Sequence, residues 1–448
     1  MLLLGKKIVI IGGGPGGLTL ARLLQQSGAA VHVYERDASR HERVQGGTLD
    51  LHHDSGLAAL RQAGLLDAFR AAYRPRADHM RLTDQHTTIL HDDHAEAQTA
   101  TFGDAHFRPE IDRGPLRDLL LDSLQPGTVV WDQQFAAMQP TGLAWEIAFH
   151  NGTTATADLV IGADGANSKI RPFVTPIRPF YSGIMIVEGT VPDAAQQAPQ
   201  ISQLLQGGKL FALGNEKTLV VSAKGDGSLN FYLGFKAPET WAQASGLSFQ
   251  SAAQLQAWFR QEFAGWASLW EELFATKPAA CVPRPQYCMP LTQTWPAQPN
   301  LTLLGDAAHL MPPYAGEGVN MAMLDALELS NCLTSPQFPD LQAAIAHYEQ
   351  HMRQRASAVA QDTMAQTAVL HSPGGLAHLV GLFSRVGSDR ETAGKLSDSD
   401  IISINCSQLL PTIVAKIAAL AFQTIHLTSL WDSLTGLKKR KKTNQKSG

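Results

Sequence analysis

Cysteine is scarce in this 448-residue chain: Cys281, Cys288, Cys332 and Cys406 are scattered, with no CxxC pair and no metal-ligand spacing. That excludes a disulfide framework and a cysteine metal centre, and reads as reduced thiols in a cytoplasmic setting. No apolar run reaches the roughly 18 residues needed to span a bilayer as a helix. The opening "MLLLGKK" is too short for a secretory signal. Positive charge is also in short supply, with Lys+Arg 36 against Asp+Glu 40. Six of those cations sit in the last eleven residues, "KKRKKTNQKSG", which leaves the rest at 30 against 40. Nucleic acid is therefore not an expected partner. At 44% hydrophobic residues the chain is no disordered segment, and its length suggests two or three domains.

What is present starts almost at once. In "KKIVIIGGGPGGLTLARLL", residues 6–24, a β-branched run breaks into glycines and then into a helical pattern. Gly12 supplies the tight strand-to-helix turn. Gly14 lets backbone N–H groups approach a pyrophosphate, and Gly17 allows the helix to pack on the strand. An anion would lie on the helix N-terminus. A second strand, "AVHVYERD", ends in Glu35, a carboxylate placed to accept from ribose hydroxyls. Strand, turn, helix, strand and acid in register imply a dinucleotide, which at this point is NAD, NADP or FAD. A second such unit is lacking, as is a redox cysteine pair, which excludes flavoprotein reductases with a separate nicotinamide domain and disulfide reductases.

Two distant segments narrow the choice. Residues 158–171, "DLVIGADGANSKIR", run a strand into a turn with Asp164. Residues 301–320, "LTLLGDAAHLMPPYAGEGVN", end a strand in Gly305-Asp306 and pass through a proline-stiffened loop to Gly316 and Gly318. Singly, each could be a plain turn or cap. In this order and at these separations they resemble the FAD-dependent group A monooxygenases, the aromatic-hydroxylase family. The resemblance implies an α/β fold: a Rossmann-like, GR2-type FAD-binding domain with an inserted antiparallel-sheet substrate domain and a C-terminal bridging helix. It implies Asp306 on the flavin's ribityl hydroxyls, Asp164 near the pyrophosphate and the nicotinamide path, and the helix from Gly318 aimed at the flavin pyrimidine ring. A helix N-terminus there would stabilise negative charge without a basic side chain. The Trp-x-Trp-x-Ile-Pro segment of the halogenase branch is lacking.

Closer still, "YERD" (34–37), "GGTLDLH" (46–52), "EIDR" (110–113) and "GDAAHLMPPYAGEGVN" are similar to the tetracycline-inactivating flavin monooxygenases. By that likeness Arg36, Asp50, Arg113, Pro313 and Asn320 join the FAD contacts, and Arg43 meets NADPH. The plainer reading of Arg43 is a solvated loop arginine. His309 is expected to be a packing or cofactor-loop histidine rather than a base. The implied reaction uses FAD, NAD(P)H and O2 to hydroxylate an electron-rich phenol or enol through a flavin C4a-hydroperoxide, with the chemistry carried by the flavin and no metal. Tetracycline is the leading named substrate; another aromatic or polyketide compound, or oxidase or reductase chemistry on the same scaffold, is the alternative.

Between 174 and 290, short β-type runs suggest the antiparallel sheet over the flavin, with "AKGDGS" as a hairpin turn. The resemblance aligns Glu188, Lys209 and Asn230 with the family's substrate-gripping glutamine, arginine and histidine, with Phe211 beside them. These departures leave the substrate open. Trp258, Phe259, Phe263, Trp266 and Trp270 are expected to pack rather than stack on substrate. The expected division is 1–173 with 291–335 for FAD, 174–290 for substrate, 336–372 as bridging helix and 373–448 as extension. Residues 412–437 show helical apolar spacing before the basic end. This could touch an anionic membrane surface, though a helix packed on the body with a solvated tail is the plainer expectation, in a monomer.

Overall fold

Strand β1 (Lys7–Ile11) is buried from Ile8 to Ile11 on both faces, as suits the centre of a parallel sheet covered on both sides. The structure, a computed structural model, describes residues 2–42, 46–95, 101–274 and 279–383. The chain divides into two compact units, Met1–Val380 and Gly381–Gly448, and every strand among the described residues belongs to the first.

The further strands of the N-terminal half are β2 (Ala30–Tyr34), β3 (Thr48–Asp50), β4 (Met80–Asp84), β5 (Ile89–Asp92), β6 (Glu110–Asp112) and β7 (Val129–Val130). Then come β8 (Phe135–Thr141), β9 (Ala144–Phe149), β10 (Thr154–Ala157) and β11 (Leu159–Gly162). The second half adds β12 (Phe180–Val191), β13 (Lys209–Gly214), β14 (Lys217–Ala223), β15 (Leu229–Lys236), β16 (Ala279–Cys288) and β17 (Leu301–Leu303).

A parallel sheet runs in the order β17-β11-β1-β2-β7. Between β1 and β2 the helix Pro15–Gln26 starts with proline in its first turn, where no N–H is missed, and buries Leu18, Leu20, Leu23 and Leu24. Helix Gly318–Thr334 packs beside it: a methyl on Gly16 would lie 2.8 Å from Leu304 Cδ1 and 2.9 Å from Ala322 O.

The second sheet, β16-β12-β15-β14-β13-β4-β5, has the expected antiparallel strands of the insert and adds to them in two ways. Two of its strands come from residues 80–92, upstream of 174, and β13 pairs with β4 in parallel. "MRLTD" and "ILHD" are short and polar, and a parallel partner distant in the chain leaves no turn signal to read. The antiparallel β10-β9-β8 sheet and the β3–β6 ribbon were likewise not anticipated.

Alternation along the second sheet splits its faces. Met185, Val187, Leu210, Ala212, Leu219, Val221, Phe231 and Leu233 point into a core closed by Trp258, Phe259, Phe263, Trp266 and Trp270. These aromatics do pack, each burial being worth about 1.5–3 kcal/mol. The other face carries Glu188, Lys209, Phe211, Asn230 and Tyr232.

Helix Leu341–Leu370 lies within the expected 341–372; Asp340 caps it by accepting the Ala343 N–H at 2.8 Å. Among the described residues no helix is long and apolar enough to cross a membrane. Residues 412–437 and the basic end lie outside the described residues, as does Arg43.

Candidate flavin site

The three sequence motifs are the loops leaving the carboxyl ends of three adjacent parallel strands, β17, β11 and β1, where open α/β sheets bind ligands. Gly12 has φ +113, and a methyl there would collide with the Ala163 carbonyl, 2.6 Å from its carbon. Gly17 would in turn press on Gly12 O, so each glycine is required by close approach. Gly14 is different: nothing lies within 4 Å of where its side chain would be, and as N-cap it offers no side-chain bond to the helix it opens. Glu35, 3% exposed at the end of β2, accepts the Gly13 N–H at 2.6 Å and the Asp37 N–H at 3.1 Å. Arg36, next to it, is exposed.

Asp164 turns its carboxylate into its own loop, accepting from Ser168 Oγ at 2.6 Å and the Lys169 N–H at 2.6 Å. It shapes the turn; it does not project from it. The neighbouring Arg171 donates to the carbonyls of Ala307 (2.6 Å) and Asp306 (2.9 Å), stitching the second motif to the third.

Asp306 begins a single helical turn after Gly305, whose φ of 59 and ψ of −144 demand glycine. Burial pushes the Asp306 carboxyl up, against the pull of His309, Arg113 and Arg171. His309 is 3% exposed and donates from Nε2 to Asp325 Oδ2 at 2.6 Å. It packs the cofactor loop and touches no open space that a substrate could reach.

Pro313 and Gly316 are exposed in the loop before the Gly318 helix, and Gly316 sits at φ 68. Gly318 has no atom within 4 Å of its would-be side chain, and its N-cap, Glu317, makes no side-chain bond to the helix. Asn320 is fully buried and spent internally: Oδ1 accepts the His52 N–H at 2.9 Å and Nδ2 donates to Asp50 O at 2.9 Å. Its side-chain amide is therefore used within the protein rather than offered to a cofactor. In the same loop Tyr314 donates to His371 Nε2 at 2.7 Å, and His371 Nδ1 donates to Glu216 O at 3.0 Å. Burial holds His371 down at about 4, so it is the neutral acceptor this bond requires. Tyr314→Phe should cost about 1 kcal/mol in chemical denaturation, the worth of one buried hydrogen bond, and leave FAD content unchanged.

The β3–β6 ribbon carries the remaining charges. Burial pushes the Asp50 carboxyl up, yet His52 at 3.0 Å, Lys209 and Arg108 hold it well below the usual range. Glu110 pairs with Lys209. Arg113 opens helix Arg113–Asp122 with an exposed side chain lying against Gly46. Gly47 N–H donates to Tyr232 Oη at 3.0 Å, bringing this loop onto the second sheet.

On that sheet one cross-strand row is Phe211, Val220, Tyr232 and Glu188, all half-buried; the next is Lys209, Ser222, Asn230 and Thr190. Glu188 pairs with Arg284, and Tyr232 donates to it at 3.5 Å. Asn230 Nδ2 donates to Gly189 O at 3.1 Å, while its buried Oδ1 has no partner. Sequence reasoning did not single out Tyr232, Arg284, His52 or Glu317. A tyrosine spaced by two from Asn230 on the same strand was the available signal for the first.

The fit to FAD can be judged from the chain itself. Two uncapped helix starts with open space at Gly14 and Gly318, a buried acid at the end of β2 and a half-buried aspartate after Gly305 suit an anionic pyrophosphate with a polyol between two ring systems. The chain matches the family described as FAD binding domain over residues 6–213 and 291–363. Among curated relatives, Monooxygenase penA of Penicillium thymicola is 28% identical, the match covering 82% of this chain and 96% of that protein. Among solved structures, Klebsiella pneumoniae HpxO complexed with FAD and uric acid gives a TM-score of 0.67 at 22% identity, covering 88% of this chain and 96% of that one. Tetracycline destructase Tet(51) gives 0.64 at 18% identity, covering 88% and 98%. At such identities these two structures speak to the fold, which they share with this chain. The chain belongs to the FAD binding domain family and is an FAD-dependent monooxygenase of the group A, aromatic-hydroxylase type.

Proposed function

We propose that this enzyme hydroxylates an electron-rich phenol or enol held between the flavin and the second sheet. The observation that carries the reading is the half-buried row Phe211, Val220, Tyr232 and Glu188, which is tied through Tyr232 Oη to the Gly47 loop. In this reading residues 1–173 with 291–335 hold FAD and 174–290, joined by strands β4 and β5, hold substrate. Bound FAD supplies electron transfer from NAD(P)H and oxygen activation. The chain's residues do the rest. Phe211 and Val220 offer apolar surface that excludes water, and Tyr232 orients a polar edge. No side chain needs to act as a nucleophile.

Tetracycline is the named compound to test first, supported by the motifs at 34–37, 46–52, 110–113 and 305–320. A specific observation favours another phenolic or polyketide-like compound: Lys209 is engaged by Glu110 and Glu188 by Arg284, so neither charge is left to grip an ionised substrate edge. The test is mass spectrometry of tetracycline after incubation with the holoenzyme, NADPH and air. Gain of one oxygen atom with matching NADPH consumption is the expected product if the tetracycline reading holds. An unchanged antibiotic removes tetracycline, and a panel of phenols then carries the hydroxylase reading. Turnover that persists without O2 would instead indicate a reductase.

A further inference from the structure

We propose that His52 is a positioning residue of the flavin site: as a charged bridge between Asp50 and Glu317 it holds the β3 loop on the head of the Gly318 helix, and FAD retention depends on it. The proposal rests on the FAD assignment but not on the identity of the substrate.

The geometry requires the charge. His52 is 9% exposed, with Nε2 3.0 Å from Asp50 Oδ2 and Nδ1 3.3 Å from Glu317 Oε2. Carboxylate oxygens only accept. Nε2 hydrogen-bonds Asp50 and Nδ1 forms an ion pair with Glu317; a neutral imidazole has one N–H and one lone pair and would turn that lone pair toward one carboxylate, whereas the imidazolium is attracted to both. The backbone is fixed to match. Asn320, on the helix, accepts the His52 N–H at 2.9 Å and the Gly56 N–H at 3.3 Å while donating to Asp50 O.

The charges facing this ring come from every neighbouring element. Asp50 lies on β3, Glu317 at the helix head, Arg108 3.5 Å from Asp50, and Glu110 of β6 pairs with Lys209 of β13. Lys209 also faces Asp50 and Asp78, and the adjacent His53 pairs with the exposed Asp54 at 2.6 Å. Four acids, Asp50, Asp78, Glu110 and Glu317, face Arg108, Lys209 and His52, so the cluster is nearest to balance while His52 keeps its proton. Loss of that proton leaves a negative charge beside a loop expected to meet an anionic cofactor. Burial pulls the ring's pKa down, but the bonds to Asp50 and Glu317 carry it up to about 9. A raised histidine pKa gives stabilisation that is complete below the ordinary value of about 6.5 and is lost as pH climbs through the raised one.

The experiment is FAD affinity of the purified full chain, read by quenching of flavin fluorescence without substrate, at pH values from about 6 to about 10. For the natural protein, affinity is expected to hold to about pH 8 and to weaken about tenfold by about pH 10. His52→Gln is expected to be about tenfold weaker at neutral pH and to show over the range only the change that the flavin's own titration produces. The flavin's own titration is common to both proteins, so the difference belongs to the ring. Glu317→Gln leaves one carboxylate on the ring and should shift the transition to lower pH, which keeps the test decisive if His52→Gln does not fold. A flat profile in the natural protein, an unchanged transition in His52→Gln, or an unshifted one in Glu317→Gln overturns the bridge while leaving the hydroxylase reading standing. A chain that takes up no FAD at any pH overturns both.

Discussion

Gly12→Ala is expected to yield a protein that no longer takes up FAD and melts at a lower temperature. At φ +113 an alanine adopts a backbone conformation that costs about 1–3 kcal/mol. Its methyl would also drive into the Ala163 carbonyl, whose oxygen and carbon are both backbone atoms. Neither side can retreat, because β1 and β11 are paired from Ile8–Leu159 to Ile11–Gly162. Gly17 closes on Gly12 O from the helix side, so the turn has no direction in which to relax. Overpacking of this kind adds about 1–3 kcal/mol. Against a total stability of about 5–15 kcal/mol the fold can survive, but the cradle must shift, and with it the N–H groups expected to meet the FAD pyrophosphate. Gly28→Ala is the control. It has φ +81 with no atom within 4 Å, so it bears the conformational cost alone and should bind FAD fully. Flavin absorbance after gel filtration with added FAD, together with thermal melts, checks both. A yellow Gly12→Ala protein with full FAD content would refute this account of the turn.

What could be read from sequence was what punctuation marks. Gly12, Gly14, Gly17, Asp164, Asp306, Gly316 and Gly318 announce themselves because a turn from strand to helix needs particular residues locally, and all of these fall in the turns and first helical turns that follow the carboxyl ends of β1, β11 and β17. The long Leu341–Leu370 helix and the hairpin at 224–228 were legible for the same local reasons. The pairings were not. Lys209 meets Glu110 across 99 residues, and Glu188 meets Arg284 across 96. Nothing in either neighbourhood says that the charge is already matched, so both looked available for substrate. Strands β4 and β5 escaped because tertiary pairing, β13 with β4 and β4 with β5, supplies the order that their short polar sequences do not. Asn320 shows the reverse case. Its motif position suggested a cofactor contact, whereas its amide is used to join two elements of the site.

Asp325→Asn should destabilise the protein by about 3–5 kcal/mol and weaken FAD binding, the cost typical of breaking a buried ion pair. The carboxylate is fully buried. Oδ2 accepts the Gly305 N–H at 2.9 Å and His309 Nε2 at 2.6 Å, and Oδ1 accepts from Arg355 at 2.7 Å. All three partners are donors, so an asparagine NH2 must point at one of them. Arg355 keeps Glu328, at 2.6 Å, and can tolerate the change. His309 has no such substitute and must lose its proton or remain charged without a partner. Gly305, strained in a glycine-only conformation, loses the bond that holds it, and Asp306 moves with it. The pH dependence gives a second signature. Burial pushes Asp325 up but His309 and Arg355 hold it low, so its contribution is present above the ordinary aspartate value and lost on acidification. Burial likewise opposes the charge on His309, yet Asp325 raises it, so that contribution is complete below about 6.5 and lost as pH rises through the raised value. The trio therefore stabilises most between about pH 4 and about pH 6.5. Urea denaturation across that range should show the natural protein's advantage over Asp325→Asn greatest inside the window. Equal stability of the two proteins throughout would mean that the Gly-Asp turn is held by something other than this carboxylate.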